Sequence, residues 1–360
     1  MSAAEIDPAA TRYLELRRPF DLELGGRLPS VTVAYRTWGR LSARADNAVV
    51  VCHALTGSPD LERWWSPLLG AGRALDPTSD FVVCSNVLGG CYGTTGPTSL
   101  RPGGHAPWGG DFPAVTVRDI VRVQAALLDA LGVRRLRLVV GGSLGGMQVL
   151  EWALLFPERV DAIAPIGVSA RHSAWCIALS EAQRQAIYAD PRWRGGHYPL
   201  DDGPAAGLAV ARQIAMCTYR SRASLEGRFS RGEAESGGFA VESWLQHHGR
   251  ALVDRFDANT YVTLTRTMDT HDVGRGRGGW REALATVREP ALVVSIDSDV
   301  LYPPVEQEEL AAALPGGRLA RLASPHGHDA FLIEGEATNA LVADFRKGIE
   351  SRHEEGTWVA

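Results

Sequence analysis

Between residues 138 and 147 the sequence runs from a short apolar stretch, through a Gly-Gly-Ser-Leu-Gly turn, into a helical pattern. A turn of this kind joins a buried strand to a helix and leaves the hydroxyl group of its serine, Ser143, projecting near the helix N-terminus. A serine in that position can act as a covalent nucleophile. The G-x-S-x-G pattern is short and arises by chance in a chain with 39 glycines, so the rest of the sequence decides its meaning.

Composition places the chain among ordinary globular proteins and argues against several other classes. Of its 360 residues, 45% are hydrophobic and 22% are charged, which suits one large α/β domain with an insertion, or two domains. The net charge of −5 argues against a dedicated nucleic-acid-binding protein. No run approaches the length of a membrane span, so we expect no membrane association. Residues 1–18 lack an apolar segment and do not resemble a signal peptide.

The cysteines and histidines show no pattern typical of disulfide frameworks or metal sites. The five cysteines are scattered without a C-x-x-C pair, so we expect free thiols in the reducing environment of the cytoplasm. The pair His247-His248 and His271 lack the spacing of metal ligands, and we interpret them as surface or packing residues. We predict no metal and no permanently bound cofactor.

Short apolar stretches alternate with helical patterns along most of the chain. The predicted strands are 48–52, 81–84, 136–140, 162–168, 291–296 and 318–322, with a hairpin that joins 20–24 to 31–35. Thr116 and Asp119 form a capping-box pattern at the start of a helix that ends at Gly132. This alternation predicts an α/β fold in which a mostly parallel sheet carries helices on both faces.

The alternation stops in the second half of the chain. Between residues 172 and 281 no strand-like run of the parallel type occurs, and helical patterns cover 208–216 and 241–252. We therefore predict a core domain made of residues 1–171 and 286–360, and an inserted helical lid domain made of residues 172–285.

Candidate partners for Ser143 lie far along the sequence, each just after a predicted strand. Asp297 and Asp299 follow the strand 291–296, whereas His326 and His328 follow the strand 318–322. Serine, acid and histidine come in this chain order in one family of folds, and catalytic groups gather at the carboxyl ends of parallel strands. The residues alone predict a serine nucleophile with a histidine base and an orienting aspartate. They leave open which of the two aspartates is the acid and which of the two histidines is the base.

Several longer motifs resemble the homoserine O-acetyltransferase family, whose members are acyltransferases of the α/β-hydrolase fold. The matching stretches are Ala-Tyr-Arg-Thr-Trp-Gly at 34–39, His-Ala-Leu-Thr-Gly at 53–57, Asn-Val-Leu-Gly-Gly-Cys-Tyr-Gly-Thr-Thr-Gly-Pro at 86–97, Asp-Phe-Pro at 111–113, Val-Arg-Asp at 117–119, the serine turn itself, Ser-Asp-Val-Leu-Tyr-Pro-Pro at 298–304 and Gly-His-Asp-Ala-Phe-Leu at 327–332. They span nearly the whole chain, and together they are far more specific than any one of them.

The resemblance implies a role for each of these positions. It implies that Asp299 is the acid and His328 the base, with Asp297 and His326 as structural neighbours. It further implies an oxyanion hole made of the backbone N–H groups of Leu55 and Leu144.

The resemblance also implies how an amino-acid acceptor would be held. It places Arg212 against the substrate carboxylate and Asp329 against the ammonium group, with Tyr219 and Thr56 nearby. From the residues alone, the alternatives are a solvated arginine on a lid helix for Arg212 and a charge at a helix N-terminus for Asp329. The flexible basic run at 274–279 fits either a coenzyme A phosphate contact or a solvated loop.

The function implied by the resemblance is acetyl transfer from acetyl-CoA, a co-substrate, to the hydroxyl group of L-homoserine. Relatives act on serine or use succinyl-CoA, so serine acetylation and homoserine or serine succinylation stay open. Attack of water on the same acyl-enzyme would give an esterase or thioesterase, and a non-catalytic binding module is a further alternative. A homodimer joined through the lid domains is also implied. The aromatic residues Trp175, Trp193, Tyr198 and Trp244 could form that contact or the core of the lid.

Overall fold

A computed structural model describes residues 10–235 and 237–354. Its strands are β1 (Arg12–Leu16), β2 (Phe20–Asp21), β3 (Arg27–Leu28), β4 (Val31–Trp38), β5 (Ala48–Cys52), β6 (Phe81–Ser85), β7 (Leu136–Gly142), β8 (Ile163–Ile166), β9 (Ala291–Ile296) and β10 (Gly317–Leu322). Its helices are α1 (Leu61–Trp64), α2 (Val117–Ala130), α3 (Leu144–Leu155), α4 (Ala174–Tyr188), α5 (Ala205–Tyr219), α6 (Arg222–Phe229), α7 (Ala240–Val253), α8 (Ala258–Asp269), α9 (Trp280–Leu284), α10 (Pro304–Ala313), α11 (Ala330–Ile333) and α12 (Gly335–Glu354).

Eight of these strands form one sheet in the order β1-β4-β6-β5-β7-β8-β9-β10. The six strands from β6 to β10 in this order pair in parallel, and β4 and β1 add an antiparallel edge. The predicted mostly parallel sheet is confirmed. The parallel arrangement brings the carboxyl ends of β5, β7, β8, β9 and β10 to the same edge of the sheet.

The predicted hairpin is wrong in its second strand. Gly25 and Gly26 do turn the chain, with φ values of 91° and 89°, but β2 pairs with the two-residue strand β3 rather than with residues 31–35. Those residues belong to β4, which pairs with β1 on one side and β6 on the other. The buried side chains of β4 explain the difference, because they contribute to the core of the large sheet. The strand β1 was not predicted.

Alternating side chains of the central strands pack against helices on both faces of the sheet. On one face Val50 and Val139 pack in the cluster that includes the buried side chains of α2 and α3. On the other face Val51 and Val140 pack in a second cluster with the α12 residue Phe345. This period of two residues is the pattern of strands that are buried on both faces.

The helix α2 begins with the predicted capping box. The Thr116 side chain accepts a hydrogen bond from the backbone N–H of Asp119, and the Asp119 carboxylate accepts one from the backbone N–H of Thr116. The two residues thereby satisfy two backbone groups that an uncapped helix leaves unpaired. The helix prediction is confirmed, and its end at Ala130 lies just before Gly132.

Between β8 and β9 the described chain forms the helices α4 to α9, which lie within the predicted lid domain. Helix α5 packs between α4 and α7. Tyr198 and Trp244 are buried inside this helical layer, whereas the side chain of Trp175 is exposed. The domain boundaries at 172 and 285 stay predictions. No helix of the described chain is long and apolar enough to cross a membrane.

Candidate active site

Ser143 lies at the carboxyl end of β7 in a strained backbone conformation. Its φ of 58° and ψ of −125° fall where side chains rarely occur, and its N–H donates a hydrogen bond to the carbonyl oxygen of Ile166. Strain of this kind persists only where the surrounding structure enforces it, and it is typical of functional sites. The turn therefore presents the Ser143 hydroxyl at the N-terminus of α3, as the sequence predicts.

The glycines of the turn allow three elements to approach closely. A Cβ atom at Gly142 would lie 2.5 Å from the ring of Phe331, and one at Gly145 would collide with the carbonyl oxygen of Cys52. Relieving the contact at Gly145 would require a backbone movement, whereas relieving the contact at Gly142 would require the buried ring of Phe331 to shift. Gly145 thus allows α3 to lie close to the end of β5, and Gly142 allows the Phe331 ring of α11 to lie close to the end of β7.

His328 and Asp299 form a buried pair at the carboxyl ends of β10 and β9. His328 Nδ1 lies 2.7 Å from Asp299 Oδ2, and each residue is 3% exposed. The other carboxylate oxygen, Oδ1, accepts hydrogen bonds from the N–H groups of Leu301 and Tyr302, at 2.8 and 3.0 Å. The carboxylate is thus fixed, and it holds the imidazole with a hydrogen on Nδ1. The Nε2 atom of His328 is buried and has no hydrogen-bond partner among the described residues.

The surroundings of His328 favour its protonated form. Burial acts to lower the pKa of the imidazole, the charge and hydrogen bond of the Asp299 carboxylate act to raise it, and the net result is a pKa above the ordinary value of 6.5. Asp329 adds to this upward shift of the pKa. A proton accepted at Nε2 would therefore be stabilised by two neighbouring carboxylates.

The second aspartate and the second histidine lie outside this pair. Asp297 Oδ1 accepts a hydrogen bond from the N–H of Ser324, at 3.0 Å. His326 Nδ1 lies 3.2 Å from both Arg220 Nη2 and Ser224 Oγ. The structure therefore pairs His328 with Asp299. This is the pair that the resemblance implies, whereas the residues alone did not distinguish between the two aspartates and the two histidines.

Aromatic rings surround the imidazole of His328, and two of them were not predicted. The ring centroid of Tyr302 lies 5.3 Å from that of His328, and those of Tyr219 and Phe331 lie 5.8 Å from it. Tyr302 is fully buried, and its hydroxyl oxygen lies 3.1 Å from Nδ1 of the buried His172. These contacts keep the imidazole in one orientation.

The two predicted oxyanion donors lie at the ends of β5 and β7. Leu144 is the first residue of α3, so its N–H is one of the helix donors that lack an acceptor within the helix. Leu55 lies in the segment 53–57, which we call the oxyanion loop. Gln148 of α3 binds this loop, since its Nε2 atom donates to the carbonyl oxygen of His53, at 3.2 Å.

His53 holds the oxyanion loop from the core side, a role that the sequence did not predict. Its Nε2 atom accepts a hydrogen bond from the N–H of Val87, at 3.2 Å, so the ring hydrogen lies on Nδ1 and is donated to the carbonyl oxygen of Ala54, at 2.8 Å. Burial lowers the pKa of His53 to about 4, which keeps the ring neutral and this tautomer in place.

Two of the predicted acceptor-binding residues, Arg212 and Asp329, lie on the lid helix α5 and in the turn that carries His328. Arg212 on α5 is half-buried, and its Cζ atom lies 5.2 Å from the ring centroid of Tyr219. Burial raises the pKa of the half-buried Asp329 carboxyl, and the charges of Arg212 and His328 act against this rise. A cation and an anion therefore lie close together beside His328, as a zwitterionic amino acid would require.

Thr56 contacts an arginine of the lid that sequence reasoning missed. Arg255 Nη1 donates a hydrogen bond to the carbonyl oxygen of Thr56, at 2.9 Å, and another to the hydroxyl oxygen of Tyr92, at 2.7 Å. Arg255 lies between α7 and α8 in no motif that the sequence singles out, so only the tertiary structure reveals the contact.

The basic run at 274–279 makes ion pairs inside the protein. Arg277 Nη2 lies 2.9 Å from an oxygen of Glu151, which is 1% exposed, and Arg275 Nη2 lies 3.1 Å from an oxygen of Glu23. Arg118 joins both carboxylates. These ion pairs tie Arg277 to α3 and Arg275 to the turn between β2 and β3, so neither arginine is a freely solvated side chain. A contact with a coenzyme A phosphate stays a prediction.

Of three other histidines, His271 and His248 take up packing positions and His247 is exposed. His271 is buried, and the ring of His248 packs against that of Trp244 with centroids 4.6 Å apart, next to His247. Within residues 10–235 and 237–354, no group of three or more His, Cys, Asp or Glu side chains is arranged to hold a metal ion.

Comparison with known proteins shows which family this chain resembles in sequence and structure. Residues 47–335 match the family model of the alpha/beta hydrolase fold. Homoserine O-acetyltransferase of Trichormus variabilis is 59% identical over 94% of both chains. Among solved structures, homoserine O-acetyltransferase from Staphylococcus aureus matches with a TM-score of 0.77 and 28% identity, covering 93% of this chain and 94% of its own. Esterase E22 matches with a TM-score of 0.86 and 25% identity, covering 93% of this chain and 99% of its own.

Proposed function

Since the chain belongs to the homoserine O-acetyltransferase family of the α/β-hydrolase fold, we propose that it transfers an acetyl group from acetyl-CoA to the hydroxyl group of L-homoserine. The observation that carries the proposal is the buried Asp299–His328 pair, whose unpartnered Nε2 atom belongs to the same strand-end site as the strained turn of Ser143. In this proposal Ser143 is the nucleophile, His328 the general base and Asp299 the residue that orients the base.

The first half of the reaction acetylates the enzyme. His328 Nε2 accepts the hydroxyl proton of Ser143 as the serine oxygen attacks the thioester carbonyl of acetyl-CoA. The backbone N–H groups of Leu55 and Leu144 stabilise the negative oxygen of the tetrahedral intermediate. The carbon–sulfur bond then breaks, His328 returns its proton to the sulfur, and coenzyme A leaves acetylated Ser143 behind.

The second half of the reaction transfers the acetyl group by the same groups in reverse. The hydroxyl group of L-homoserine gives its proton to His328 and attacks the acetyl carbonyl, so that a second oxyanion forms. When the bond to the Ser143 oxygen breaks, the proton passes from His328 back to Ser143. The product is O-acetyl-L-homoserine, and the order of events is a ping-pong cycle.

We further propose that Arg212 binds the carboxylate of the acceptor and that Asp329 binds its ammonium group. The opposite charges of the two side chains beside His328 support this assignment, because a buried zwitterion needs a partner of each sign. Tyr219 would line the same pocket through its contacts with Arg212 and His328, and Thr56 would line it from the oxyanion loop.

An assay matrix tests this function. L-homoserine and L-serine are each combined with acetyl-CoA and succinyl-CoA, and both coenzyme A release and the ester product are measured. The proposal expects the highest kcat/KM for L-homoserine with acetyl-CoA. Preference for L-serine or for succinyl-CoA would instead identify one of the other acyl transfers open to this family.

Hydrolysis of the acyl-enzyme is the second candidate function. The similarity to esterase E22 supports hydrolysis as a candidate. An esterase and a transferase of this fold differ in whether water or an acceptor attacks the acyl-serine. Coenzyme A release at full rate without L-homoserine, and unchanged when it is added, would establish hydrolysis.

We also propose a cytoplasmic homodimer joined through the lid domains. The exposed apolar side chains of Trp175 and Ile177 on α4 and of Val210 on α5 support a contact through the lid, and five free thiols fit a reducing compartment. Light scattering on a sizing column gives the mass directly. A monomer at micromolar concentration would contradict the dimer, and Trp175→Glu is expected to convert a dimer into monomers.

A further inference from the structure

We propose that Arg255 is a positioning residue through which the lid holds the oxyanion loop in its productive geometry. This inference rests on the proposed function only in assigning an oxyanion-binding role to the N–H of Leu55. The guanidinium group of Arg255 is bonded to Thr56 of the oxyanion loop, so its effect would be transmitted through that loop.

The guanidinium group joins three acceptors at the border between lid and core. Its Nη1 atom lies 2.9 Å from the Thr56 carbonyl oxygen and 2.7 Å from the Tyr92 hydroxyl oxygen, and Nη2 lies 3.5 Å from Thr56 Oγ1. A planar group with several fixed donors can bridge acceptors in this manner, whereas an ammonium group acts as a single point charge. Arg255 thus links the oxyanion loop to the loop that follows β6.

The turn that carries Arg255 is held on both sides. The ring of the buried Phe256 packs edge-on against that of Tyr92, with centroids 5.9 Å apart. The Asp257 carboxylate caps α8 by accepting a hydrogen bond from the N–H of Thr260, at 2.8 Å, and it also accepts one from the hydroxyl group of Tyr198, at 2.7 Å. The guanidinium group therefore starts from a fixed backbone position.

The hydrogen bonds within the oxyanion loop show that Arg255 would control the direction of the Leu55 N–H group. The carbonyl oxygen of Ala54 accepts hydrogen bonds from His53 Nδ1 and from the N–H of Gly57. This carbonyl and the N–H of Leu55 belong to one planar trans peptide group, so fixing the carbonyl sets the direction of the N–H on the opposite side. Arg255 fixes the carbonyl group of Thr56, which lies two residues after Ala54. The Leu55 segment is thereby held from the core at one end and from the lid at the other.

The consequence of losing the lid anchor follows from the geometry of oxyanion stabilisation. A donor contributes fully only when it lies at hydrogen-bond distance from the oxygen of the tetrahedral intermediate, and displacement by about 1 Å can cost on the order of 10²-fold in rate. Both half-reactions pass through such an intermediate. Loss of Arg255 is therefore expected to slow acetylation and deacetylation of Ser143 together.

The first test compares Arg255→Met with a matched control, Arg266→Met. Arg266 lies on α8 of the same lid and also donates to a tyrosine hydroxyl, that of Tyr188, at 3.1 Å. The rate of Ser143 acetylation is measured with acetyl-CoA and with p-nitrophenyl acetate. We expect Arg255→Met to lower kcat/KM about 10- to 100-fold for both substrates, mainly through the acetylation rate constant. Arg266→Met should stay within about twofold of the wild type, as a surface substitution should.

Comparing acetyl-CoA with p-nitrophenyl acetate distinguishes a positioning role of Arg255 from phosphate binding and from a purely structural role. If Arg255 bound a coenzyme A phosphate, Arg255→Met would raise KM for acetyl-CoA and leave p-nitrophenyl acetate, which has no phosphate, unchanged; that result would overturn the proposal. A purely structural role would lower the melting temperature but leave the acetylation rate of the folded enzyme unchanged, which would overturn it too. The assay with p-nitrophenyl acetate needs no acceptor, so it remains decisive even if the protein fails to acetylate L-homoserine.

Two further variants keep the test open if Arg255→Met does not fold. Arg255→Lys should recover only part of the rate, because an ammonium group cannot bridge both acceptors. Tyr92→Phe should lower the rate less than Arg255→Met does, and combining the two should give less than the product of the separate losses, since they remove one shared contact. Wild-type acetylation rates in both Arg255→Lys and Tyr92→Phe would overturn the proposal.

Discussion

His328 Nδ1 lies 2.7 Å from Asp299 Oδ2, and the Oδ1 atom of the same carboxylate is held by the backbone N–H groups of Leu301 and Tyr302. Both carboxylate oxygens are therefore hydrogen-bonded, and the aspartate fixes the imidazole tautomer that leaves Nε2 as the acceptor. The unpartnered Nε2 atom and the strained turn of Ser143 then give one consistent account of nucleophilic catalysis.

The orienting role of Asp299 is tested by Asp299→Asn. An amide in this position can donate a hydrogen to Nδ1 and so favours the wrong tautomer of His328, and kcat should fall on the order of 10⁴-fold. Asp297→Asn is the matched control, since Asp297 bonds to the N–H of Ser324 and not to the imidazole. Steady-state assays of both variants with acetyl-CoA and L-homoserine check the prediction. Equal losses in the two variants would remove the distinction between the aspartates.

The pH profile should report the titration of His328. Burial lowers the pKa of the imidazole, but the Asp299 and Asp329 carboxylates together outweigh it, so the pKa lies above 6.5. The protonated ring cannot accept the proton of Ser143. The value of kcat/KM for acetyl-CoA should therefore fall as the pH is lowered through this raised pKa.

Removing the Asp299 carboxylate should shift the fall of kcat/KM at low pH, the acid limb of the profile, to lower pH. In Asp299→Asn the imidazole keeps the effect of burial, which lowers its pKa, and of Asp329, which raises it, but loses the effect of the Asp299 carboxylate. The residual activity should therefore persist to lower pH than in the wild type. Asp297→Asn should leave the limb in place. An acid limb at the same pH in all three proteins would assign it to another group.

Acceptor binding is tested by Arg212→Gln. Removing the proposed carboxylate partner should raise KM for L-homoserine by about 30-fold, since the loss of one member of a buried charge pair costs ~2 kcal/mol or more. Acetylation of Ser143 by acetyl-CoA should be almost unchanged. Arg222→Gln, at an exposed position on α6 of the same lid, is the control. A slower acetylation step with an unchanged KM for L-homoserine would place Arg212 elsewhere in the mechanism.

The packing of the serine turn is tested by Gly145→Ala. The new Cβ atom would collide with the carbonyl oxygen of Cys52, so we expect a destabilisation of about 3 kcal/mol or more. The control is Gly227→Ala on α6, where a Cβ atom meets nothing within 4 Å and the helix should gain about 0.5 to 1 kcal/mol. Chemical denaturation measures both free energies of unfolding. A wild-type stability for Gly145→Ala would show that the turn tolerates a wider approach of α3.

Much of the fold was predictable because apolar strands and their order are local properties of the sequence. The strands that carry the site are buried on both faces, and the elements at 48–52 and 291–296 were located without error. The edge of the sheet was harder to predict. β2 and β3 have only two residues each, so the pairing of β4 depends on the large sheet and not on the nearby glycine turn.

The site divides in the same way. The positions of Ser143, Asp299 and His328 at strand ends follow from chain order and motif, and the structure brings the last two together. The anchors of the oxyanion loop could not be predicted. His53 belongs to the motif at 53–57 without an assigned role, and Arg255 is a single arginine in a turn 199 residues from its partner Thr56. Such long-range contacts leave no periodic trace in a sequence.

Intact-mass analysis of the wild-type protein and of Ser143→Ala tests the central claim most directly. After exposure to acetyl-CoA alone, the wild type should carry one added acetyl group, which should disappear on addition of L-homoserine as O-acetyl-L-homoserine forms. Ser143→Ala should show neither the adduct nor the product. Product formation by Ser143→Ala at the wild-type rate, or an acetylated wild-type enzyme that ignores L-homoserine, would contradict transfer through an acyl-serine.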